Sequence, residues 1–169
     1  MPSSLARRPK LAIEVRRGEP GDLDALMALE QWVFAPDRLS RRSMRRLLDS
    51  PAAEVVVAEQ GGCLLGAAVV LFRSLSAAAR LYSIAVAPPM SRHGVGASLL
   101  EAAEARARAH GCRSMRLDVH ESNAAAISRY RKSGYRQFGR HDAYYEDGGD
   151  ALRFEKPLGQ EAARGFSRD

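Results

Sequence analysis

The fold is decided by the stretch Leu81-Tyr-Ser-Ile-Ala-Val-Ala-Pro-Pro-Met-Ser-Arg-His-Gly-Val-Gly-Ala-Ser-Leu-Leu100. Residues 81–86 are a short, largely apolar run that predicts a β-strand, and Pro88 and Pro89 end it. From Gly94 the apolar residues recur at helical spacing as far as Gly111, which ends the helix. A glycine-containing loop therefore joins a strand to a long helix.

The loop at residues 91–97 has the composition of an anion site. Unpaired backbone amides at a helix start carry partial positive charge, and glycines let a pyrophosphate approach them closely. Arg92 and His93 would add charge or donors. The same glycines also suit a tight strand–helix turn, so both interpretations stay open on these residues alone. A dinucleotide-binding fingerprint is excluded because Leu99 stands at its third glycine, and a P-loop because no Gly-Lys-Ser/Thr follows.

Four polar side chains cluster further along the chain. Residues 115–119 predict a strand, and Asp118 and His120 lie two apart, hence on one face. Asn123 begins the next helix, and Tyr130 lies two turns further on the same side. A carboxylate, an imidazole, an amide and a phenol that converge there form a plausible proton-transfer set. The same residues also have structural explanations, with Asn123 as a helix cap, Tyr130 as a core residue, and Asp118 and His120 as a solvated pair.

The remaining elements complete a mixed sheet. The first half of the chain predicts a strand at residues 11–16, a helix following Pro20 and capped by Asp22, and a helix capped by Ser40 and ended by Pro51. Two strands follow at 54–58 and 64–72, around a turn at 60–62. The second half predicts a helix capped by Ser122 or Asn123 and closed by Gly134, and then strands at 135–145 and 151–158. The order β-α-α-β-β-β-α-β-α-β-β predicts an α/β fold with flanking helices.

Composition bounds the class of protein. The 169 residues, 46% of them hydrophobic, suit one domain at residues 11–158, with a basic tail at 1–10 and a polar tail at 159–169. The net charge of +6 favours acidic partners. No apolar run approaches the roughly 18–20 residues of a membrane span, and no secretory signal is evident. Cys63 and Cys112 lack metal or disulfide spacing, so we expect a cytoplasmic protein without a metal.

The chain resembles the GNAT superfamily of acetyl-CoA-dependent N-acetyltransferases. The resemblance rests on the strand at residues 81–86, the loop at 92–97, and Glu121-Ser-Asn-Ala-Ala-Ala-Ile127 with Tyr130. Similarity is greatest to the RimI-type ribosomal-protein alanine N-acetyltransferases, through Glu30-Gln-Trp-Val-Phe34, Val119–Ile127, and Tyr144-Tyr-Glu-Asp-Gly148. The resemblance implies their fold, with a mostly antiparallel central sheet.

The resemblance also implies roles for particular residues. The backbone of Ile84, Ala85 and Val86 would hold the pantetheine arm, and the Val86 N–H would polarise the thioester carbonyl. The pyrophosphate would bind the loop amides of Arg92, His93, Gly94, Val95, Gly96 and Ala97. Asn123 and Ala126 would contact the cofactor, and Tyr130 would protonate the departing thiolate. The acceptor site would be formed by Phe34, Leu39, Tyr82, Tyr144 and Tyr145.

Three residues depart from the family pattern. Ser91 stands where Gln or Arg usually begins the loop, and Leu39 replaces a Trp before Ser40. Asp118 stands in the place of the usual Glu base and is one methylene shorter. Related N-terminal acetyltransferases use a Tyr at the place of Tyr82. The general base is therefore open between Asp118, Tyr82 and His120.

The expected reaction is direct attack of a free amine on acetyl-CoA. Near pH 7.4 roughly a quarter of an α-amine is neutral, against about a thousandth of a lysine side chain, which favours a protein N-terminus as acceptor. A ribosomal protein is one such partner, and no sequence signature supports RNA contact. The alternatives are a small-molecule amine or a lysine as acceptor, or a non-catalytic cofactor- or RNA-binding module.

Overall fold

The computed structural model describes residues 12–34 and 38–159; the expected N-terminal tail and residues 160–169 of the C-terminal tail lie outside them. The elements are β1 (Glu14–Arg17), α1 (Leu23–Phe34), α2 (Arg41–Asp49), β2 (Ala53–Gln60), β3 (Cys63–Leu71), β4 (Ala78–Val86), α3 (Val95–Ala109), β5 (Ser114–His120), α4 (Ala124–Lys132), β6 (Arg136–His141) and β7 (Ala151–Pro157). The predicted order of strands and helices is confirmed. Within the described ranges, no helix is both long and apolar enough to cross a membrane.

All seven strands form one sheet in the order β1-β2-β3-β4-β5-β7-β6. Every neighbouring pair is antiparallel except β4 and β5, which are parallel. The parallel ladder joins only Ala78–Arg80 to Ser114–Arg116. Beyond those three pairs the two strands separate, and the sheet opens in its middle.

The helices cover both faces of the sheet and bury two hydrophobic clusters. One cluster lies under α3 and α4, and the other lies under α1 and α2. Strand β2 contributes to both, because Val56 faces the first cluster while Val55 and Val57 face the second. A strand buried on both faces is a continuous apolar run, as Val55-Val-Val-Ala58 shows.

A β-bulge in β4 changes which residues face each cluster. Val69 pairs with Ser83 and Val70 pairs with Leu81, so Tyr82 is the extra residue. One inserted residue reverses the alternation of side chains between the two faces. Leu81 before the bulge and Ile84 after it therefore face the same cluster, and Tyr82 is exposed.

Two local expectations were wrong. Asp22 does not cap the first helix. The Glu19 N–H donates to its carboxylate at 2.7 Å, so Glu19 is the N-cap of a capping box and Asp22 is the third residue after it. The strand expected at residues 135–145 ends at His141, because the chain turns at Ala143 with a φ of 48° and the Ala143 N–H donates to Asp150.

Two expected caps were confirmed. Ser40 caps α2, since its side chain accepts from the Ser43 N–H at 3.1 Å. Asn123, rather than Ser122, caps α4 by accepting from the Ala126 N–H at 3.2 Å. The first strand, expected at residues 11–16, spans Glu14–Arg17, so its end lies one residue later than expected.

Candidate active site

The opening between β4 and β5 holds a cavity of about 810 Å³. Its walls come from both strands, from α1 and the segment after it, from α4 and its cap, and from Tyr145 in the β6–β7 connection. The cavity exists because the parallel ladder stops after three residue pairs. It brings together many of the residues expected to act, namely Phe34, Leu39, Tyr82, Ile84, Asp118, His120, Asn123, Ala126, Tyr130 and Tyr145.

The backbone of β4 offers hydrogen-bonding groups along the opening. The Ala87 N–H donates to the Leu65 carbonyl at 2.8 Å, so this residue faces β3. Antiparallel pairing alternates residue by residue, so Ala85 also faces β3 while Ile84 and Val86 turn away from it. Their amides and carbonyls face the side where β5 has separated. An extended ligand could pair with this edge as a further strand would.

The glycine loop lies at the N-terminus of α3, as expected. Gly94 caps the helix with a φ of 80°, and residues 92–94 are exposed. Gly96 is buried beneath Arg129: a Cβ at this position would lie 2.8 Å from the Arg129 Nη1. The absence of a side chain at Gly96 thus admits a guanidinium from α4 to the start of α3.

Arg129 links this loop to the cavity, because it also forms part of the cavity wall. With Arg92, it places positive charge near the unpaired amides at the start of the helix, and His93 adds a ring that can form hydrogen bonds. The residues therefore fit a pyrophosphate. Sequence reasoning missed Arg129, although its place one residue before Tyr130 on α4 was a signal.

Tyr130 is the buried phenol of the site. Only 7% of the residue is exposed, and burial raises the pKa of its hydroxyl above the ordinary value. Among the described residues, the only buried side-chain polar atom without a hydrogen-bond partner is Glu54 Oε2, which lies 3.5 Å from Arg106 Nε. The Tyr130 hydroxyl has no hydrogen bond to the described chain, so it opens into the cavity. It is a phenol that stays protonated at neutral pH.

Asp118 is held by two arginines. Its Oδ2 lies 3.0 Å from Arg80 Nη2, and its Oδ1 lies 3.3 Å from Arg153 Nε. Only 9% of the side chain is exposed. Oδ1 therefore accepts a hydrogen bond from Arg153, and Oδ2 is ion-paired with Arg80. This arrangement suits a residue that orients arginines better than one that removes a proton.

His120 is also fully engaged. Its Nδ1 accepts from the Ser122 backbone N–H at 3.0 Å, so Nε2 carries the proton and donates to Asp147 at 2.8 Å. The pKa of Asp147 is lowered most by the hydrogen bond that it accepts from the Gly149 N–H, and next by the hydrogen bond with His120. A Cβ at Gly149 would lie 2.2 Å from His120 Nε2, so only glycine lets the β6–β7 connection approach this ring.

Tyr82 is the remaining candidate base. The bulge turns it outward, and 48% of the residue is exposed. Its hydroxyl makes no hydrogen bond with the described part of the chain, while the residue lines the cavity. Of the three candidates, Tyr82 is the one whose polar atom is not already held by a neighbouring side chain in that part.

Aromatic rings wall the side of the cavity below the β6–β7 connection. Tyr145 packs 4.8 Å from His120, and burial, followed by the charge of Asp118, raises its pKa. Tyr144 meets Tyr145 edge-on at 5.1 Å and stacks on His141 at 5.4 Å. Tyr144 is half exposed and supports the wall from outside the cavity lining.

Glu30 is a cavity residue that sequence reasoning missed. It is 5% exposed on α1, burial raises the pKa of its carboxyl, and its Oε2 accepts from the Leu39 N–H at 3.1 Å. The signal was present, because Glu30 follows Leu23 and Leu26 at the spacing of the buried stripe. A carboxyl at such a position needs a structural or functional partner.

Known proteins share this sequence and architecture. Residues 24–135 match the model of the Acetyltransferase (GNAT) family. An N-alpha-acetyltransferase of Sulfolobus acidocaldarius is 36% identical over 86 residues, which are 50% of this chain and 51% of that protein. A Bacillus subtilis protein, provisionally named ribosomal protein bS18-alanine N-acetyltransferase, is 28% identical over 85% of this chain and 94% of its own length. The chain spans about half the length of the curated N-alpha-acetyltransferases that it matches.

Solved structures extend the similarity. The ribosomal-protein-S18-alanine N-acetyltransferase of Escherichia coli superposes with a TM-score of 0.79 at 26% identity, over 92% of this chain and 99% of that one. A nourseothricin acetyltransferase superposes with a TM-score of 0.72 at 28% identity, over 88% and 99% of the two chains. The overall fold is thus shared with acetyltransferases that carry different names.

Proposed function

The chain belongs to the acetyltransferase (GNAT) family, and on that premise we propose that it transfers the acetyl group of acetyl-CoA to the α-amine at a polypeptide N-terminus. One observation carries the proposal. The opening between β4 and β5 places the unpaired edge of β4, the Tyr130 hydroxyl and the exposed Tyr82 around one cavity. Acetyl transfer needs such an arrangement, because the donor thioester, a proton donor and the acceptor amine must meet in one cavity.

The donor half of the site fits coenzyme A. When bound, acetyl-CoA supplies an acetyl thioester that an amine can attack directly. The β4 edge at Ile84 and Val86 would hold the extended arm, and the Val86 N–H would stabilise negative charge on the carbonyl oxygen. The amides of residues 92–97, together with Arg129, would hold the pyrophosphate. The Asn123 oxygen caps α4, which leaves its amide nitrogen for the cofactor.

Tyr130 would deliver the proton that the leaving sulfur needs. Because burial raises its pKa, the phenol is protonated throughout the neutral range and remains a donor at alkaline pH. No covalent intermediate on the enzyme is required. Neither Cys63 nor Cys112 belongs to the cavity lining.

The acceptor half would orient an amine that is already partly neutral. An α-amine has an ordinary pKa of about 7.7–8.0, so near pH 7.4 roughly a quarter of it can attack without a strong base. We assign Tyr82 to the amine, as the group that accepts its hydrogen bond or that of an intervening water. Asp118 and His120 are assigned to positioning, because their polar atoms already have partners.

The names of similar proteins support a polypeptide acceptor. The Sulfolobus acidocaldarius relative is called an N-alpha-acetyltransferase, and the Bacillus subtilis and Escherichia coli proteins are named for the alanine of a ribosomal protein. A ribosomal protein N-terminus is accordingly the first acceptor to try.

A small-molecule amine is the second candidate acceptor. The similarity to a nourseothricin acetyltransferase, which is as high in identity as that to the Bacillus subtilis protein, favours it. The two candidates differ in what must fit the acceptor half, namely an extended polypeptide or a compact amine.

A panel of acceptors distinguishes them. The protein is incubated with acetyl-CoA and with peptides that have a free N-terminus, the same peptides with a blocked N-terminus and one lysine, or nourseothricin. Mass spectrometry locates the acetyl group. We expect acetylation at the free α-amine and little at the lysine of blocked peptides. Turnover of nourseothricin without turnover of any free N-terminus would refute the polypeptide acceptor.

A further inference from the structure

A second groove, of about 670 Å³, adjoins the active-site cavity. It lies between the end of α2, the start of β2, the connection from β3 to β4, and strands β5 and β7. Tyr82, Leu117 and Asp118 line both spaces, so the groove borders the reaction centre. Its charged lining is one carboxylate, Asp118, and five arginines: Arg46, Arg73, Arg80, Arg116 and Arg153.

The arginines of the groove are only partly neutralised. Arg80 and Arg153 share Asp118, and Arg116 lies 3.6 Å from Glu155. Arg46 and Arg73 have no ion-pair partner within the described ranges, and both are exposed. Five guanidinium groups against two carboxylates leave an excess of three positive charges around one depression.

Two of these guanidinium groups are held in place by an aromatic ring. Arg116 and Arg153 lie 5.1 Å and 4.8 Å from the centre of the Phe138 ring. Contact with the ring occupies the face of a guanidinium group and leaves available the N–H groups that do not already pair, which excludes the Nε of Arg116 on Glu155 and the Nε of Arg153 on Asp118. Such N–H groups bind carboxylates with two parallel hydrogen bonds. The groove is therefore suited to carboxylate ligands.

We propose that this groove binds acidic side chains of the acceptor polypeptide, just after the residue whose amine is acetylated. The inference rests on the proposed function, because it assumes that the groove and the site at Tyr82 bind parts of one and the same polypeptide. The groove would give the enzyme a preference for N-termini followed by Asp or Glu.

The lining favours a polypeptide over RNA. The lining also contains apolar residues such as Leu47, Ala52 and Leu71, which can pack against the aliphatic parts of peptide side chains. Binding of single-stranded RNA relies on exposed aromatic rings on which bases stack. The groove lining contains two aromatic residues. Phe72 is packed on His110 with ring centres 3.9 Å apart, and Tyr82 is the residue assigned to the acceptor amine.

The test uses pairs of peptides that differ only in charge. Each peptide begins with the same free Ala, and the following positions carry Asp and Glu in one and Asn and Gln in the other. We expect kcat/KM to be about tenfold higher for the acidic peptide, mainly through KM, and the ratio to shrink as salt is added. Binding of peptides with a C-terminal fluorophore is measured in parallel by anisotropy with coenzyme A present.

The variant removes the two unpaired arginines together, as Arg46→Gln with Arg73→Gln. Its acidic-to-neutral ratio should fall to near one, both in kcat/KM and in binding. The matched control is Arg45→Gln, since Arg45 is exposed on the same helix and lies outside the groove. The control should keep the full ratio.

The outcomes separate the two proposals. Equal use of acidic and neutral peptides, with N-terminal acetylation intact, would overturn the groove inference and leave the proposed function standing. Preferential binding of acidic peptides without acetylation of any peptide would support the groove and overturn the proposed function. If the double variant keeps the peptide ratio but loses affinity for a single-stranded RNA oligonucleotide, the groove is an RNA site and the inference is wrong.

Discussion

The donor and acceptor halves of the proposed site are built from different parts of the protein. The donor half consists of backbone and packed core: the β4 edge, the start of α3 and the buried Tyr130. The acceptor half consists of charged and aromatic side chains held by one another, with Asp118 between two arginines and His120 between Ser122 and Asp147. A backbone site binds the invariant part of a substrate, whereas a side-chain site is where acceptor specificity can differ between relatives of one fold.

The largest effect should come from the donor half. Tyr130→Phe removes a hydroxyl that has no partner in the described chain, so it should leave stability and coenzyme A affinity nearly unchanged. It should lower kcat by about 100-fold or more, because the leaving sulfur loses its acid. Steady-state kinetics and calorimetry with coenzyme A measure the two quantities separately.

Tyr135→Phe is the matched control. Its ring lies edge-on to Tyr130 with centres 5.7 Å apart, but its buried hydroxyl donates to Glu104 at 3.1 Å on the core side. Removal of that bond should lower the free energy of unfolding by about 1–3 kcal/mol and leave kcat unchanged. An unaltered kcat in Tyr130→Phe would remove that residue from the mechanism.

The donor half is also the half that sequence could predict. The strand at residues 81–86, the glycine loop and Tyr130 are local signals, and each sits on a predicted element. The acceptor half depends on contacts that sequence spacing does not encode, such as Arg80 with Asp118 across the parallel ladder. The bulge at Tyr82 was equally invisible, because it is a mismatch between two strands and not a property of either one.

The next effect concerns the acceptor half and its base. Tyr82→Phe should lower kcat/KM for the acceptor about tenfold and alter the alkaline-rising limb of its pH profile, because the group nearest the amine is lost. Asp118→Asn keeps the shape of the side chain but weakens its hold on Arg80 and Arg153. It should raise the acceptor KM and leave the shape of the pH profile unchanged.

Kinetics over a range of pH with both variants decides the assignment. If the alkaline-rising limb disappears in Asp118→Asn and persists in Tyr82→Phe, the roles proposed for the two residues are reversed. If it persists in both, neither is the base. In either case, the hydrogen bonds and ion pairs of the acceptor half would not distinguish the residues that position other groups from the residue that takes the proton.

The smallest effect tests whether the acceptor half is built at a cost in stability. Burial raises the pKa of Glu30, so the folded protein binds this proton more tightly than the unfolded chain does. Stability therefore falls as pH rises from the ordinary glutamate pKa to the raised one, and the loss persists at neutral pH. Glu30→Gln removes the charge and keeps an oxygen to accept the Leu39 N–H.

Thermal unfolding of Glu30→Gln should show a Tm higher by about 2–4 °C at pH 7, which corresponds to on the order of 1 kcal/mol, and little change at pH 4. Asp24→Asn on the exposed side of the same helix is the control and should give no gain, since Asp24 pairs with Arg41 in solvent. A gain of equal size at both pH values would attribute the effect to packing. A loss at pH 7 would mean that the carboxylate contributes stability, and the acceptor half would then resemble the donor half in being built for stability as well as for binding.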